Sequence, residues 1–254
     1  MSESVYRESV VCFIDILGFK EHIKRSENDE EHAKRILTAL KIAKEIVGVQ
    51  FKGVDGWNTA AVSDSIIITY ATEIKGEEGF TLKGTAFSII LNIIHVMQAL
   101  TRQGFLFRGA VKTGKMHHND DAVFGPALTN AYLLEQSAAV YPRVLVSDDV
   151  FDFARNHPHN SPDEDLKVIT SLVRKDVDGC IYIDFLSQEG EIGEWYPYDA
   201  FLKEVRDVIV AGAKQANAYG NIGVRSKYVW LANYFNAVVE EKGLSELLIS
   251  EDDY

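Results

Sequence analysis

Only two cysteines occur in 254 residues, and no apolar run is long enough to cross a bilayer. Cys12 and Cys180 each sit inside an apolar run and read as buried thiols, which predicts a reducing, cytoplasmic setting. The longest greasy stretch, Ala86 to Leu100, covers about 15 residues where a spanning helix needs roughly 20, and it contains Asn92, His95 and Gln98. The N-terminus is polar and carries two acids before any apolar segment, so no signal peptide is expected. Positive charge is scarce as well: 26 Lys and Arg stand against 38 Asp and Glu, a net charge of −12. Phosphate-rich nucleic acid needs a basic surface, which this composition does not supply. An anionic small substrate would need locally placed cations or metal ions. Internal repeats and low-complexity segments are also missing. What is present, 46% apolar and 25% charged residues, suits a soluble globular protein long enough for one large domain with an extension.

Residues 9–17 read as a short, fully buried strand ending at Gly18. The following segment begins with a polar turn and places Ile36, Leu40, Ala43 and Val47 on one helical face. Residues 53–72 predict two strands with their turn near Ser63-Asp64-Ser65. A helix is expected over 81–103, with Phe87, Ile90, Leu91, Ile94 and Met97 at helical spacing. A strand over 104–116 should lead into the polar turn "HHNDD", then a helix over 127–140, a strand over 143–147 and a short helix. After a polar break at 155–165, "LKVITSLV" and "GCIYIDFL" read as a late antiparallel pair. From about residue 198 the pattern is helical, in two stretches with Gly220 and Gly223 between them. This order predicts an α+β fold, helices against one mostly antiparallel sheet.

One familiar motif can be set aside. "GAVKTGKM" nearly spells a phosphate loop, but Met116 stands where a magnesium-binding hydroxyl is required, and a turn follows instead of a helix. The two single acids are more informative. Asp15 lies among Phe13, Ile14, Ile16 and Leu17 with no base before Lys20, and a desolvated lone carboxylate is costly. Taken singly, Asp15 could cap the turn at Gly18, and Ser63-Asp64-Ser65 is good turn chemistry. Taken together, an acid ending a central strand and an acid at a hairpin tip can aim at one point. Such a pair of hard oxygen ligands suits Mg²⁺ or Mn²⁺ and in-line displacement at phosphorus.

With those acids in view, "FIDILGF" resembles the first metal strand of the class III nucleotidyl cyclases, and "VSDSIII" resembles their metal-bearing hairpin. "FRGAVKTG" resembles the strand that carries a triphosphate-binding arginine, which matches Arg108, and "FGPALTNAYLLEQSA" the helix that follows. The resemblance covers roughly residues 9–150. Within that family, "SDSI", "RGAV", the segment from Gly125 to Arg143 and a C-terminal "KYVWL" look most like the pyrimidine cyclases of Pycsar anti-phage systems, which are homodimers. It implies a ferredoxin-type βαββαβ core over residues 1–190, with 191–254 a helical extension used for core packing or dimerisation. It also implies conversion of UTP or CTP to the 3′,5′-cyclic monophosphate and pyrophosphate, with two Mg or Mn ions, in a homodimer whose product acts on a separate effector.

Residue by residue, the resemblance makes Asp15 and Asp64 metal ligands, with the Ile16 carbonyl as an additional one. Arg108 and the Gly18–Phe19 backbone would take the phosphates. Two departures matter. Purine-specific members carry a lysine just before the metal-bearing hairpin, where this chain has Thr59, Ala60 and Ala61. Members also place an Asn and an Arg one turn apart after the glycine matching Gly125, where this chain has Thr129 and Leu133. Asn130 or Arg143 is the substitute within reach. The alternatives are a degenerate cyclase fold that binds nucleotide or a partner without turnover, and an unrelated metal-dependent phosphohydrolase. "HHNDD" reads as a solvated turn, and the aromatic residues of "KYVWLANYF" as packing.

Overall fold

The computed structural model describes residues 4–50, 57–75, 81–83, 86–158, 161–192 and 196–253. In chain order the first elements are β1 (Arg7–Ile16), α1 (Phe19–Ser26), α2 (Glu30–Gln50), β2 (Trp57–Val62) and β3 (Ser65–Ala71). A small hairpin of β4 (Glu73–Lys75) and β5 (Thr81–Lys83) comes next, then α3 (Ala86–Arg102), β6 (Phe107–His118), β7 (Val123–Phe124) and α4 (Pro126–Ala138). The rest is β8 (Val144–Val146), α5 (Asp148–Asn156), α6 (Pro162–Ser171), β9 (Val173–Lys175), β10 (Ile181–Ile183), α7 (Glu189–Ile192), α8 (Tyr198–Ala218) and α9 (Ile222–Glu241).

The main sheet runs β2-β3-β1-β6-β8-β10-β9, with β7 paired to β6. Every pairing in it is antiparallel except β6 with β8. Its first four strands, joined through α1–α2 and α3, form the split βαββαβ core expected of an α+β fold. Alternation along β1 decides the two layers. Val10, Cys12, Ile14 and Ile16 enter the main core with Ile66, Ile68 and Tyr70 of β3 and Ile90, Ile94 and Met97 of α3. Val11 and Phe13 point the other way, to Ile67, Met116 and the Ala127 and Ala131 positions of α4. Gln98, buried in the greasy helix, donates to the Phe185 carbonyl at 2.9 Å. Among the described residues no helix is long and apolar enough to cross a membrane.

The C-terminal helices pack on this core. Phe201, Leu202, Val205 and Ile209 of α8 and Leu231, Phe235 and Val238 of α9 share the main cluster. The expected division at 190/191 lies close to residues 193–195, which are outside the described set, as are the side chains of Ala43 and Val47. Gly220 makes the turn between α8 and α9, whereas Gly223 already belongs to the first turn of α9. The two helices meet where the Tyr228 ring covers Gly212: a Cβ there would stand 2.1 Å from the ring.

Several local expectations are corrected. "LKVITSLV" is mostly helix α6, started by Ser161, whose Oγ accepts from the Glu164 amide, with Pro162 and three acids in the first turn. These signals outweigh the β-branched run, and only Val173–Lys175 is left to pair with β10. Thr81–Lys83 pairs with β4 rather than opening α3. Cys180 is half-buried, unlike Cys12. In "HHNDD" the Asn119 side chain builds the turn by accepting from Asp121 and Ala122, but His118 turns inward and meets Thr69 Oγ1 at 2.7 Å.

Helices α1 and α2 are clasped by stacked imidazoles. Arg35 Nη2 lies 3.0 Å from His32 Nδ1, and His32 Nε2 lies 3.1 Å from His22 Nδ1. A guanidinium only donates, so His32 Nδ1 accepts and its Nε2–H is left to donate to His22. Both rings are therefore neutral, and burial with the neighbouring cationic groups pushes His22 down to about 4.

Two measurements check this packing. Gly212→Ala should destabilise the fold by about 1–3 kcal/mol in urea titration, although helix propensity alone favours alanine. Because His22 is depressed in the fold, the unfolded chain binds more protons between pH 6.5 and 4, so stability should fall on acidification across that window. His22→Asn should lessen that dependence in thermal melts recorded from pH 7 to pH 4, the remainder coming from His118, which burial likewise pushes down to about 4.

Candidate active site

The register of β1 sets the site. Asp15 lies directly opposite Ser65 on β3 and opposite Arg108 on β6, so all three project from the α4 side of the sheet. The turn carrying Asp64 is fastened to β1 by the Ile16 amide, which donates to the Asp64 carbonyl at 2.9 Å. Ser63 takes a left-handed backbone, φ 58°, to make that tight reversal. Ile16 itself sends its side chain into the core. The next amide, Leu17, donates to the Leu106 carbonyl at 2.8 Å, closing the strand end against β6. Gly18, at φ 71°, then turns the chain into α1, and its carbonyl receives the Glu21 and His22 amides. No side chain caps the start of α1, while Phe19 anchors it in the core.

Arg108 is held between two carboxylates. Its Nε donates to Asp15 Oδ2 at 3.3 Å and stands 2.6 Å from Glu135 Oε1. Glu135, on α4, is completely buried, and its second oxygen accepts from Gln136 at 2.6 Å. Burial pushes the Asp15 carboxyl up, the adjacent Asp64 carboxylate adds to this, and Arg108 opposes both without cancelling them. Glu135 is raised chiefly by burial, against the pull of Arg108. A second cation comes from the C-terminal helices: Lys227 of α9 faces Arg108 and Asp15, and burial and the Arg108 charge push it down.

Of the residues the sequence singled out, Asp15, Asp64, Arg108, Ile16, Gly18 and Phe19 therefore gather at one end of the sheet. Asn130 does not join them within the chain. It is exposed on α4, five residues from Glu135, which at 100° per residue points it about 140° away. Thr129 bonds back to the Gly125 carbonyl at 3.3 Å, and Leu133 is exposed. Arg143 is committed elsewhere: fully buried, it pairs with Asp176 and Asp178 at the β9–β10 turn, under Trp230. Gly109 is needed beside Arg108, because a Cβ there would meet the Phe13 carbonyl at 2.4 Å.

Sequence reading missed Glu135 and Lys227. The first leaves a trace, a charged residue eight places after Ala127 on the face that also buries Ala131. Lys227 leaves none, since only the path of α8 and α9 brings it to β1. Among the described residues, no group of three His, Cys, Asp or Glu side chains is arranged to hold a metal by itself. The Asp15–Asp64 pair still fits a divalent cation of the Mg²⁺ type, which takes one or two carboxylates and keeps its other positions for water and substrate oxygens. The turn that carries Asp64 is bonded to β1 beside Asp15, which brings the two carboxyls together where a cation would relieve their repulsion.

No protein-family model matches the chain, and no curated protein matches it. Solved structures do. The monomeric guanylyl cyclase domain of a rhodopsin fusion protein from the aquatic fungus Blastocladiella emersonii is 12% identical, with TM-score 0.43 over 70% of this chain and 94% of that one. An adenylate/guanylate cyclase/hydrolase from Silicibacter pomeroyi is 15% identical, TM-score 0.41, over 70% and 95%. A class III adenylyl cyclase-like ATP-binding protein from Pseudomonas aeruginosa is 11% identical, TM-score 0.38, over 65% and 40%.

The raised Asp15 carboxyl has a consequence for stability. At pH 7 the charged form is held against a preference for protonation, so Asp15→Asn should raise the melting temperature. The gain should vanish as the pH falls below the carboxylate range, where wild-type Asp15 is protonated in either state.

Proposed function

We propose that the protein is a nucleotidyl cyclase that converts a pyrimidine nucleoside triphosphate, UTP or CTP, to its 3′,5′-cyclic monophosphate and pyrophosphate. The observation that carries this reading is the convergence of Asp15 on β1, Asp64 on the β2–β3 turn and Arg108 on β6, at the open start of α1. Asp15 and Asp64, with the Ile16 carbonyl, would hold Mg²⁺ or Mn²⁺. Bound there, the ions would supply charge neutralisation and a more acidic 3′-hydroxyl. Arg108 takes phosphate oxygens through its fork, and the uncapped amides after Gly18 face the same charge. The 3′-hydroxyl would give its proton to water as its oxygen bonds the α-phosphorus, and the bond to the bridging oxygen would break in line, releasing pyrophosphate.

Ala60 supports the pyrimidine assignment: it offers no donor where a purine-reading lysine would stand, on the same face as Phe13 and Ile67. A homodimer belongs to the proposal. Phe124, Tyr132 and Leu133 are exposed on and before α4, and Asn130 sits among them, so it can serve an acidic site only from a partner subunit. The product would then act on a separate effector, as an antiviral second messenger. A second reading, a degenerate cyclase fold that binds nucleotide without turnover, is favoured by Thr129 and Leu133, which supply neither amide nor guanidinium.

The test is incubation of the protein with ATP, GTP, CTP and UTP separately in Mn²⁺, with products identified by mass spectrometry. The expected outcome is cyclic UMP or cyclic CMP with pyrophosphate, reduced roughly a hundredfold or more by Asp64→Ala. Binding without product would favour the second reading. Orthophosphate or a linear mono- or diphosphate would indicate a phosphohydrolase instead.

A further inference from the structure

Glu135 is a completely buried carboxylate whose Oε1 accepts no hydrogen bond, although Arg108 Nε lies only 2.6 Å away. The cause is directional. Nε carries one hydrogen, and that hydrogen is spent on Asp15 Oδ2 at 3.3 Å, the longer of the two contacts. The closer acceptor is thus left with charge attraction alone. A buried acceptor without its hydrogen bond is costly, and here the missing donor is already in place, turned toward a competitor. A small rotation of the guanidinium would exchange one acceptor for the other.

The geometry points to Arg108 as a two-position switch, with Asp15 as its partner in the ligand-free protein and Glu135 as the residue that holds it once Asp15 is engaged by a divalent cation. This deepens the proposed function and rests on its reading of Asp15 and Asp64 as cation ligands. While Arg108 bonds Asp15, it occupies an oxygen the cation requires and places like charge beside it. When Asp15 turns to the cation, Nε–H re-aims at Glu135, and the orphaned Oε1 gains its bond. Gln136 fixes the other Glu135 oxygen, so the carboxylate cannot follow Arg108 outward. Glu135 touches neither substrate nor cation in this scheme. It is a positioning residue that sets where Arg108 waits and keeps it at the site afterwards.

The experiment needs no turnover. The full chain, labelled with ¹⁵N-arginine, is titrated with Mg²⁺ alone, and the Arg108 Nε–H cross-peak, assigned through Arg108→Lys, is followed with Mg²⁺ affinity by calorimetry. In the wild type the cross-peak should move to lower field in step with Mg²⁺ binding. Glu135→Gln should leave it unmoved and weaken Mg²⁺ roughly tenfold, with Glu135→Asp recovering part of the affinity. Should Glu135→Gln fail to fold by circular dichroism, Glu135→Asp carries the test, with an intermediate loss expected. Equal Mg²⁺ affinity in wild type and variant, or a cross-peak indifferent to bound Mg²⁺, would overturn the switch while leaving the two-carboxylate site standing. Asp64→Asn separates the cases, because it should abolish Mg²⁺ binding whether or not Arg108 moves. A wild type that binds no Mg²⁺ would overturn both.

Discussion

Strand β1 is paired on both sides along nearly its whole length, and its register against β3 and β6 fixes everything else. Side chains alternate across a strand, so a slip of one residue would turn Val10, Cys12, Ile14 and Ile16 out of the main core and drive Asp15 into it. Several buried apolar side chains would be lost to water at about 1.5–3 kcal/mol each, before counting a carboxylate stranded in hydrocarbon. The greasy half of β1 thus specifies where its single acid stands. The Ile16–Asp64 and Leu17–Leu106 backbone bonds then fasten the strand end, and the turn that carries Asp64 cannot drift from it.

At that end the protein gathers charges that would each be costly alone. Asp15 and Glu135 share Arg108, Asp64 crowds Asp15, and Lys227 lies within the field of Asp15 and Arg108. Burial and like charge raise Asp15, and burial raises Glu135. On the proposed reading, a divalent cation and an anionic ligand would relieve this tension. The contrast with Arg143 is instructive, since its pairing with Asp176 and Asp178 joins chain segments and leaves nothing to be displaced. Arg143 is a buried fastener, whereas the partly buried Arg108 lies between two carboxylates.

Much of this was legible in residues alone. Apolar, β-branched runs marked β1 and β3, and the helical spacing of Ile90, Ile94 and Met97 marked α3. The same reasoning failed at α6, where a β-branched run outweighed the Ser161-Pro162-Asp163-Glu164 start signal that in fact decides the helix. It failed at His118, classed with a solvated turn although its partner, Thr69, is 49 residues away. Both errors came from weighting local composition over a cap or a contact.

The sequence by itself determined the alternation of the strands, the isolation of Asp15 and Asp64 among apolar neighbours, and the scarcity of positive charge. These are local properties, because strand periodicity and desolvation cost act over a few residues. Only the tertiary structure decided which acids meet which bases. Glu135 reaches Arg108 because α4 lies across β1 and β6, and Lys227 arrives because α8 and α9 close tightly over Gly212. Coulomb interaction depends on distance through space and on local dielectric, and neither is written in the order of residues along the chain.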